Sequence, residues 1–219
     1  MALSNSQGRL DLQGRRNPFV APEGVPLILG VGVAGWAAAT WLHPGWSLLA
    51  LFVMGMLTLV FRDPRREVPS IPLGVVSPVD GVVAEVDLTD RGVSQGEAHR
   101  ILIRVNPLGT YTARSPVEGS IRDLNALAAD QIVDYRTNAL WVQTDEGDDV
   151  VLQFRGYRFG LAPRAFIRYG ERLGQGQRCA YLRLTRFAEI HLPIESQIQC
   201  TAGDRVVAGS DVIARLPHP

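Results

Sequence analysis

Hydrophobic and polar positions divide the chain into two regimes. From Gly24 to Phe61 no residue carries a formal charge, and two apolar runs, 26–42 and 45–61, are separated by His43-Pro44. The spacing predicts a hairpin of two helices, each about 25 Å long, slightly under a bilayer core of about 30 Å, either just spanning it or dipping in from one side. Beyond residue 62 the apolar runs become shorter. The stretches 81–88, 100–106, 139–144, 149–157, 179–184, 188–193 and 211–216 are rich in Val, Ile and Leu and are punctuated by Gly, Asp and Pro. Several alternate apolar with polar residues, the period of a half-buried strand. Only 121–135 has a pattern that suits a helical turn or two. The predicted fold class is mainly β, a sandwich or partly open barrel. It follows an N-terminal membrane hairpin, giving a tail over 1–25, the hairpin over 26–61 and a β domain over 62–219.

Charge adds an orientation. Arg9, Arg15 and Arg16 precede the apolar stretch, and Arg62, Arg65 and Arg66 follow it. Basic flanks on both sides predict both termini, and the β domain, on the cytoplasmic face of the membrane. Trp36, Trp41 and Trp46 cluster at the hairpin tip, where an interfacial aromatic belt would sit. The apolar stretch is too long and starts too late for a cleaved signal peptide.

The 22 basic and 22 acidic residues balance, so no bulk charge points to nucleic acid. Every basic residue among the 22 is Arg. That excludes a lysine Schiff base, a P-loop lysine and a lysine-borne biotin or lipoyl group. Cys179 and Cys200 lack metal-ligand spacing and read as ordinary buried thiols. His43, His99, His191 and His218 are scattered without an HxxxH or HExxH pattern. Neither a metal site nor metal catalysis is expected.

Two internal echoes refine the β region. "SPVDGVVAEV" (77–86) recurs as "SPVEGSIRDL" (115–124), and "GERLGQGQRCAYLRL" (170–184) recurs as "GDRVVAGSDVIARL" (203–216). Each is a strand, a Gly turn and another strand. They resemble the hammerhead half-motifs of biotinyl and lipoyl carrier domains. The carrier lysine is absent, so this likeness concerns the fold and not the function.

Four stretches in order resemble the short bacterial and archaeal type of phosphatidylserine decarboxylase. They are "FRDPRREVP" (61–69), "GVVSPVDGVV" (74–83), "NPLGTYTARSPVEG" (106–119) and the long segment 151–193 that ends in "YLRLTRFAEIHLP". The resemblance implies a chemistry that uses a pyruvoyl group. A Ser hydroxyl attacks the preceding carbonyl, elimination cuts the chain, and the serine remnant becomes a keto-amide. That carbonyl takes the substrate amine as a Schiff base and accepts electrons as carbon dioxide leaves. A Gly before the Ser permits the strained backbone.

With the register anchored on His191-Leu192-Pro193, the family's Gly falls on Thr185 and its Ser on Arg186. The family's His, five residues before Pro116, falls on Tyr111. Asp80 and Arg114 agree with the family pattern. The pairs Gly119-Ser120 and Gly209-Ser210 lie in turns, where Gly and Ser are ordinary residues. Thr185 could in principle attack the Leu184 carbonyl, but it is one residue out of register, which turns a strand side chain to the other face. The resemblance therefore implies an uncleaved chain without a pyruvoyl cofactor. Asp80, Tyr111, Arg114 and Arg186 are the expected ligand-binding set, and Asp80, Tyr111, Thr185 and Arg186 stand at the family's catalytic positions. Arg186 either clamps a phosphate or carboxylate or forms a structural ion pair with Asp80 or Glu189. The expected partner is a membrane phospholipid, with self-association or pairing with a paralogous decarboxylase as further options. An active decarboxylase with displaced chemistry and a purely structural subunit remain the alternatives.

Overall fold

The computed structural model describes residues 19–89, 97–123, 139–157 and 161–217. The chain divides into two compact units, Met1–Arg65 and Arg66–Pro219.

In the first unit the apolar runs form helices α1 (Val25–Trp41) and α2 (Trp46–Val60). Proline at the start of α1 suits a position whose N–H has no helical partner. Pro44 stops the helix before a short connection. There the Gly45 N–H donates to His43 Nδ1 at 3.0 Å, and the Ser47 hydroxyl donates to the Pro44 carbonyl at 2.6 Å. At the base, the Ala21 N–H donates to the Phe61 carbonyl and the Asp63 N–H to the Phe19 carbonyl, at 2.8 and 2.7 Å.

The membrane-spanning reading of this hairpin is corrected. Among the described residues no helix is long and apolar enough to cross a membrane. The two helices have 17 and 15 residues, or about 25 and 22 Å against a core of about 30 Å. No charged residue interrupts 42–45, but helical structure does not continue through it. The cytoplasmic orientation was derived from the arginines that flank this hairpin, and without a membrane-spanning helix among the described residues it has no support.

The second unit carries strands β1 (Gly74–Val76), β2 (Gly81–Thr89), β3 (Ala98–Val105), β4 (Thr112–Arg114), β5 (Gly119–Asp123), β6 (Ala139–Gln143), β7 (Asp149–Arg155), β8 (Arg164–Ala165), β9 (Arg172–Leu173), β10 (Arg178–Tyr181), β11 (Phe187–Pro193), β12 (Gln197–Ile198), β13 (Arg205–Val206) and β14 (Val212–Arg215). Among the described residues they make one eight-stranded sheet, β13-β2-β3-β11-β7-β6-β5-β9, and two three-stranded sheets, β1-β14-β12 and β4-β10-β8. The class is mainly β. Residues 121–123 of the segment read as a helical turn belong to β5, and the rest of that segment lies outside the described residues.

Alternation explains the core. Ile101 and Ile103 of β3, Val150, Leu152 and Phe154 of β7, and Ala188, Ile190 and Leu192 of β11 are all buried on one face of the large sheet. Each large aliphatic side chain fully buried there stabilises the fold by about 1.5–3 kcal/mol.

The sequence echoes reappear as paired geometry. The Ser77 hydroxyl donates to the Val79 carbonyl at 2.8 Å, and the Ser115 hydroxyl donates to the Val117 carbonyl at 2.7 Å. The two turns also hold each other, since the Val76 N–H donates to Pro116 O and the Arg114 N–H to Pro78 O, both at 2.9 Å. Each serine carbonyl then accepts from a glycine of the other echo, Ser77 from Gly209 at 2.7 Å and Ser115 from Gly176 at 2.9 Å. The halves clasp through their repeated turns, and the site lies beside this clasp.

Candidate functional site

Strand β10 ends at Tyr181 and β11 begins at Phe187, so the stretch read as continuous strand to residue 184 is broken by a tight turn. The Thr185 N–H donates to the Leu182 carbonyl at 3.1 Å, closing a turn in which Arg183 has φ +52°. That left-handed conformation is uncommon for a residue with a Cβ. The Thr185 hydroxyl donates to the same carbonyl at 2.5 Å, and the side chain is buried. Arg186 is exposed, and its carbonyl accepts the Val105 N–H of β3 at 2.8 Å.

From there a chain of bonds leads to the other positions. The Asn106 N–H donates to the Asp80 carbonyl at 2.8 Å. Asp80 Oδ2 accepts from the Thr110 N–H at 2.9 Å and from Arg66 Nη2 at 3.0 Å, while Oδ1 accepts from the Ala208 N–H at 2.8 Å. Tyr111 follows Thr110, and its carbonyl accepts the Leu182 N–H at 2.9 Å. Leu182 returns the path to Thr185. Asp80, Tyr111, Thr185 and Arg186 thus sit on one closed circuit of hydrogen bonds.

Within that circuit the Asp80 carboxylate is committed to three donors, so it ties three chain segments together. Gly109 allows this close approach, because a Cβ there would lie 2.6 Å from Asp80 Cβ. The Tyr111 ring lies 5.9 Å from that of Tyr181, which is 4.9 Å from Phe166. Arg114 lies outside the circuit. It is buried, its Nη1 donates to the Gly176 carbonyl at 3.0 Å, and its Cδ packs where Gly209, at φ +72°, leaves room. It faces Arg178 across the β4–β10 ladder.

The ion pairs considered for Arg186 do not form among the described residues. Asp80 pairs with Arg66, and Glu189 pairs with Arg155 at 2.9 Å and His191 at 2.9 Å. Burial alone would raise the Glu189 carboxyl. The hydrogen bond with His191 and the charges of Arg155, His191 and Arg100 together hold it below the ordinary range. Cys179 and Cys200 are free and buried. Burial pushes the Cys179 thiol up to about 12, which makes it a poor nucleophile.

These residues do not fit a self-made pyruvoyl group. Arg186 has no hydroxyl to attack the Thr185 carbonyl. Thr185 has one, but it is directed at the Leu182 carbonyl and not at Leu184.

Arg66, Thr110, Leu182 and Ala208 complete the site, and the sequence reading did not assign them a role there. Arg66 and Asp80 both lie in the motif-bearing segments, so their opposite charges were a usable signal. The Ala208 amide, 128 residues from Asp80, had no local signal. The buried Glu189–His191 pair was also missed, although an i, i+2 spacing in a strand puts both on one face.

No family model matches the chain. The phosphatidylserine decarboxylase proenzyme of Nitrosomonas europaea is 33% identical, covering 91% of this chain and 96% of its own. That of Nitrosomonas eutropha is 34% identical with the same coverage. That of Burkholderia ambifaria is 32% identical over 91% of this chain and 93% of its own. Among solved structures, glucose permease IIA from Mycoplasma capricolum covers 65% of this chain and 94% of its own, with a TM-score of 0.42 and 19% identity. That likeness is too weak to carry an argument. The bacterial relatives are similar along almost their whole length, and the chain belongs to the phosphatidylserine decarboxylase family.

Proposed function

We propose that this family member remains one uncleaved chain without a pyruvoyl group and binds a phospholipid headgroup at a membrane surface. Its relationship to the phosphatidylserine decarboxylases makes it a protein of phospholipid metabolism. The observation that carries the finer reading is Arg186. It stands where the family has its serine, it is exposed, and among the described residues it has no ion-pair partner. A guanidinium in that setting can hold a phosphate or carboxylate by two parallel hydrogen bonds. Tyr111 cannot readily supply the proton transfers of a His near neutral pH.

The test is calorimetric binding of glycerophosphoserine to the full chain, paired with an assay for released carbon dioxide. Binding without decarboxylation is expected. Arg186→Gln should weaken binding by roughly tenfold or more, because a hydrogen bond to a charged group contributes about 1.5–3 kcal/mol. Decarboxylation by the unmodified protein, or binding indifferent to Arg186→Gln, would overturn the reading.

A further inference from the structure

Strand register sets two further arginines beside Arg186. Phe187, the first residue of β11, pairs with Arg104 of β3 on one side and with Arg155 of β7 on the other. Directly paired residues project from the same face of a sheet, so both arginine side chains leave on the side of the Phe187 ring. Their Cα atoms are two strand spacings apart, about 9.5 Å, a gap that two arginines can close over one ligand. Arg186 reaches the same place by way of Gly156, which follows Arg155 and has φ +67°. The point where a Cβ would sit on Gly156 lies 3.3 Å from Phe187 Cδ2, 3.5 Å from Arg186 Cβ and 3.7 Å from Arg186 Cδ. The Arg186 stem and the Phe187 ring therefore meet at the end of β7, next to Arg155.

The Arg155 guanidinium is aimed from below. Its Nε pairs with Glu189 Oε2 at 2.9 Å, and its Nη2 donates to Gln153 Oε1 at 3.3 Å. Glu189 is buried, while the Arg155 side chain keeps 49% of its surface open. Arg104 and Arg186 are exposed and have no ion pair among the described residues. Glu189 offsets Arg155, which leaves Arg104 and Arg186 as cations without a carboxylate of their own. The other carboxylates of this part of the unit are taken. Glu85 and Asp87 of β2 are bonded to Arg100, and Asp80 is committed to its three donors.

A phosphate monoester carries about −1.5 to −2 charges at neutral pH and three strong acceptor oxygens. It matches the two uncompensated cations, and its oxygens can accept from all three guanidiniums. A phosphoserine diester has a net charge of about −1, and its ammonium finds no uncommitted carboxylate here. We propose that Arg104, Arg155 and Arg186 form a site for a terminal phosphate monoester, on a lipid or on a small molecule, with the Phe187 ring as its apolar wall. This rests on the headgroup-binding reading and narrows it, and the experiment separates the two.

The full chain is titrated calorimetrically with glycerol 3-phosphate, dihexanoyl phosphatidic acid and glycerophosphoserine. Glycerol 3-phosphate should bind at least about fivefold tighter than glycerophosphoserine at neutral pH. That advantage should vanish as pH falls through about 6, where the phosphate takes up its second proton. Arg104→Gln should weaken glycerol 3-phosphate binding by about fivefold and leave Tm unmoved, because Arg104 has no ion pair to lose. Arg155→Gln should weaken it as well, and if loss of the Glu189 pair unfolds that variant, Arg104→Gln decides alone. Arg205→Gln is the control. Arg205 is exposed and stands in the same row, beyond Val82 from Arg104, so a diffuse positive face would register there too, whereas the proposed site would not.

Equal affinity for glycerol 3-phosphate and glycerophosphoserine, or equal losses from Arg104→Gln and Arg205→Gln, overturns the inference. If glycerophosphoserine binding still depends on Arg186 in that case, the headgroup reading stands. Tighter binding of dihexanoyl phosphatidic acid than of glycerol 3-phosphate supports the site and assigns it to a lipid. Glycerol 3-phosphate bound through all three arginines, with neither lipid-derived probe bound, also supports the site and sinks the headgroup reading alone.

Discussion

Replacing Asp80 with Asn tests whether one carboxylate organises the site. The native side chain accepts from Ala208 N on Oδ1 and from both Thr110 N and Arg66 Nη2 on Oδ2. Asn offers one oxygen. If that oxygen takes the Oδ2 place, its NH2 group faces the Ala208 N–H, donor against donor. The reverse orientation opposes two donors and is worse. At least one hydrogen bond to a charged group is lost, about 1.5–3 kcal/mol. The Arg66 pair, partly open to solvent, adds about 1 kcal/mol or less. The total is about 2–4 kcal/mol, or a fall in Tm of about 5–15 °C for a domain of this size. Hydrogen exchange across a urea series reads this locally. The Ala208 amide should lose protection first, followed by a lower unfolding midpoint for the β unit. A midpoint shift below about 0.5 kcal/mol, the range of neutral surface changes, with Ala208 still protected, would refute the reasoning.

Other outcomes follow from neighbouring contacts. Gly109→Ala would put a methyl group 2.6 Å from Asp80 Cβ and 3.1 Å from the Asn106 carbonyl. It should cost about 1–3 kcal/mol by overpacking, read by chemical denaturation. Glu189 has a folded pKa below its ordinary 4.5, so its stabilisation is complete above that value and is lost as pH falls through the lower folded one. Glu189→Gln should therefore lower stability at neutral pH by about 1–3 kcal/mol and flatten the acid limb of the stability profile. An unchanged limb would show that the pair with His191 and Arg155 is not linked to folding. Arg186→Ser alone should not produce cleavage, because Thr185 still occupies the turn and Tyr111 replaces the family's His. The triple change Thr185→Gly, Arg186→Ser and Tyr111→His should produce fragments on a denaturing gel, and the single change doing so would refute that ordering.

The sequence carried the long strands and missed most of the short ones. Alternation over 100–106, 149–157 and 188–193 corresponds to β3, β7 and β11, whose inward residues build the core. The strand expected over 179–184 stops at Tyr181, because the Leu182–Thr185 turn depends on a left-handed Arg183 that no local preference announces. Two-residue strands such as β8 and β13 exist through their partners and have no period of their own to read. The apolar hairpin showed the limit of composition. The uncharged stretch runs past Pro44 without interruption, whereas the helix does not. At the site, Asp80 and the 185–186 pair were legible as aligned positions. Of the donors that hold Asp80, the Thr110 and Ala208 amides come from distant segments and became visible only in the fold.

A chain with Thr185-Arg186 in place of Gly-Ser should not process itself. Intact-mass analysis of the purified protein tests this most directly. A single polypeptide near 23.9 kDa with ordinary peptide bonds across residues 184–187 is the expected result. Two fragments, the smaller beginning at residue 185, 186, 120 or 210 with a keto-acyl terminus, would contradict it.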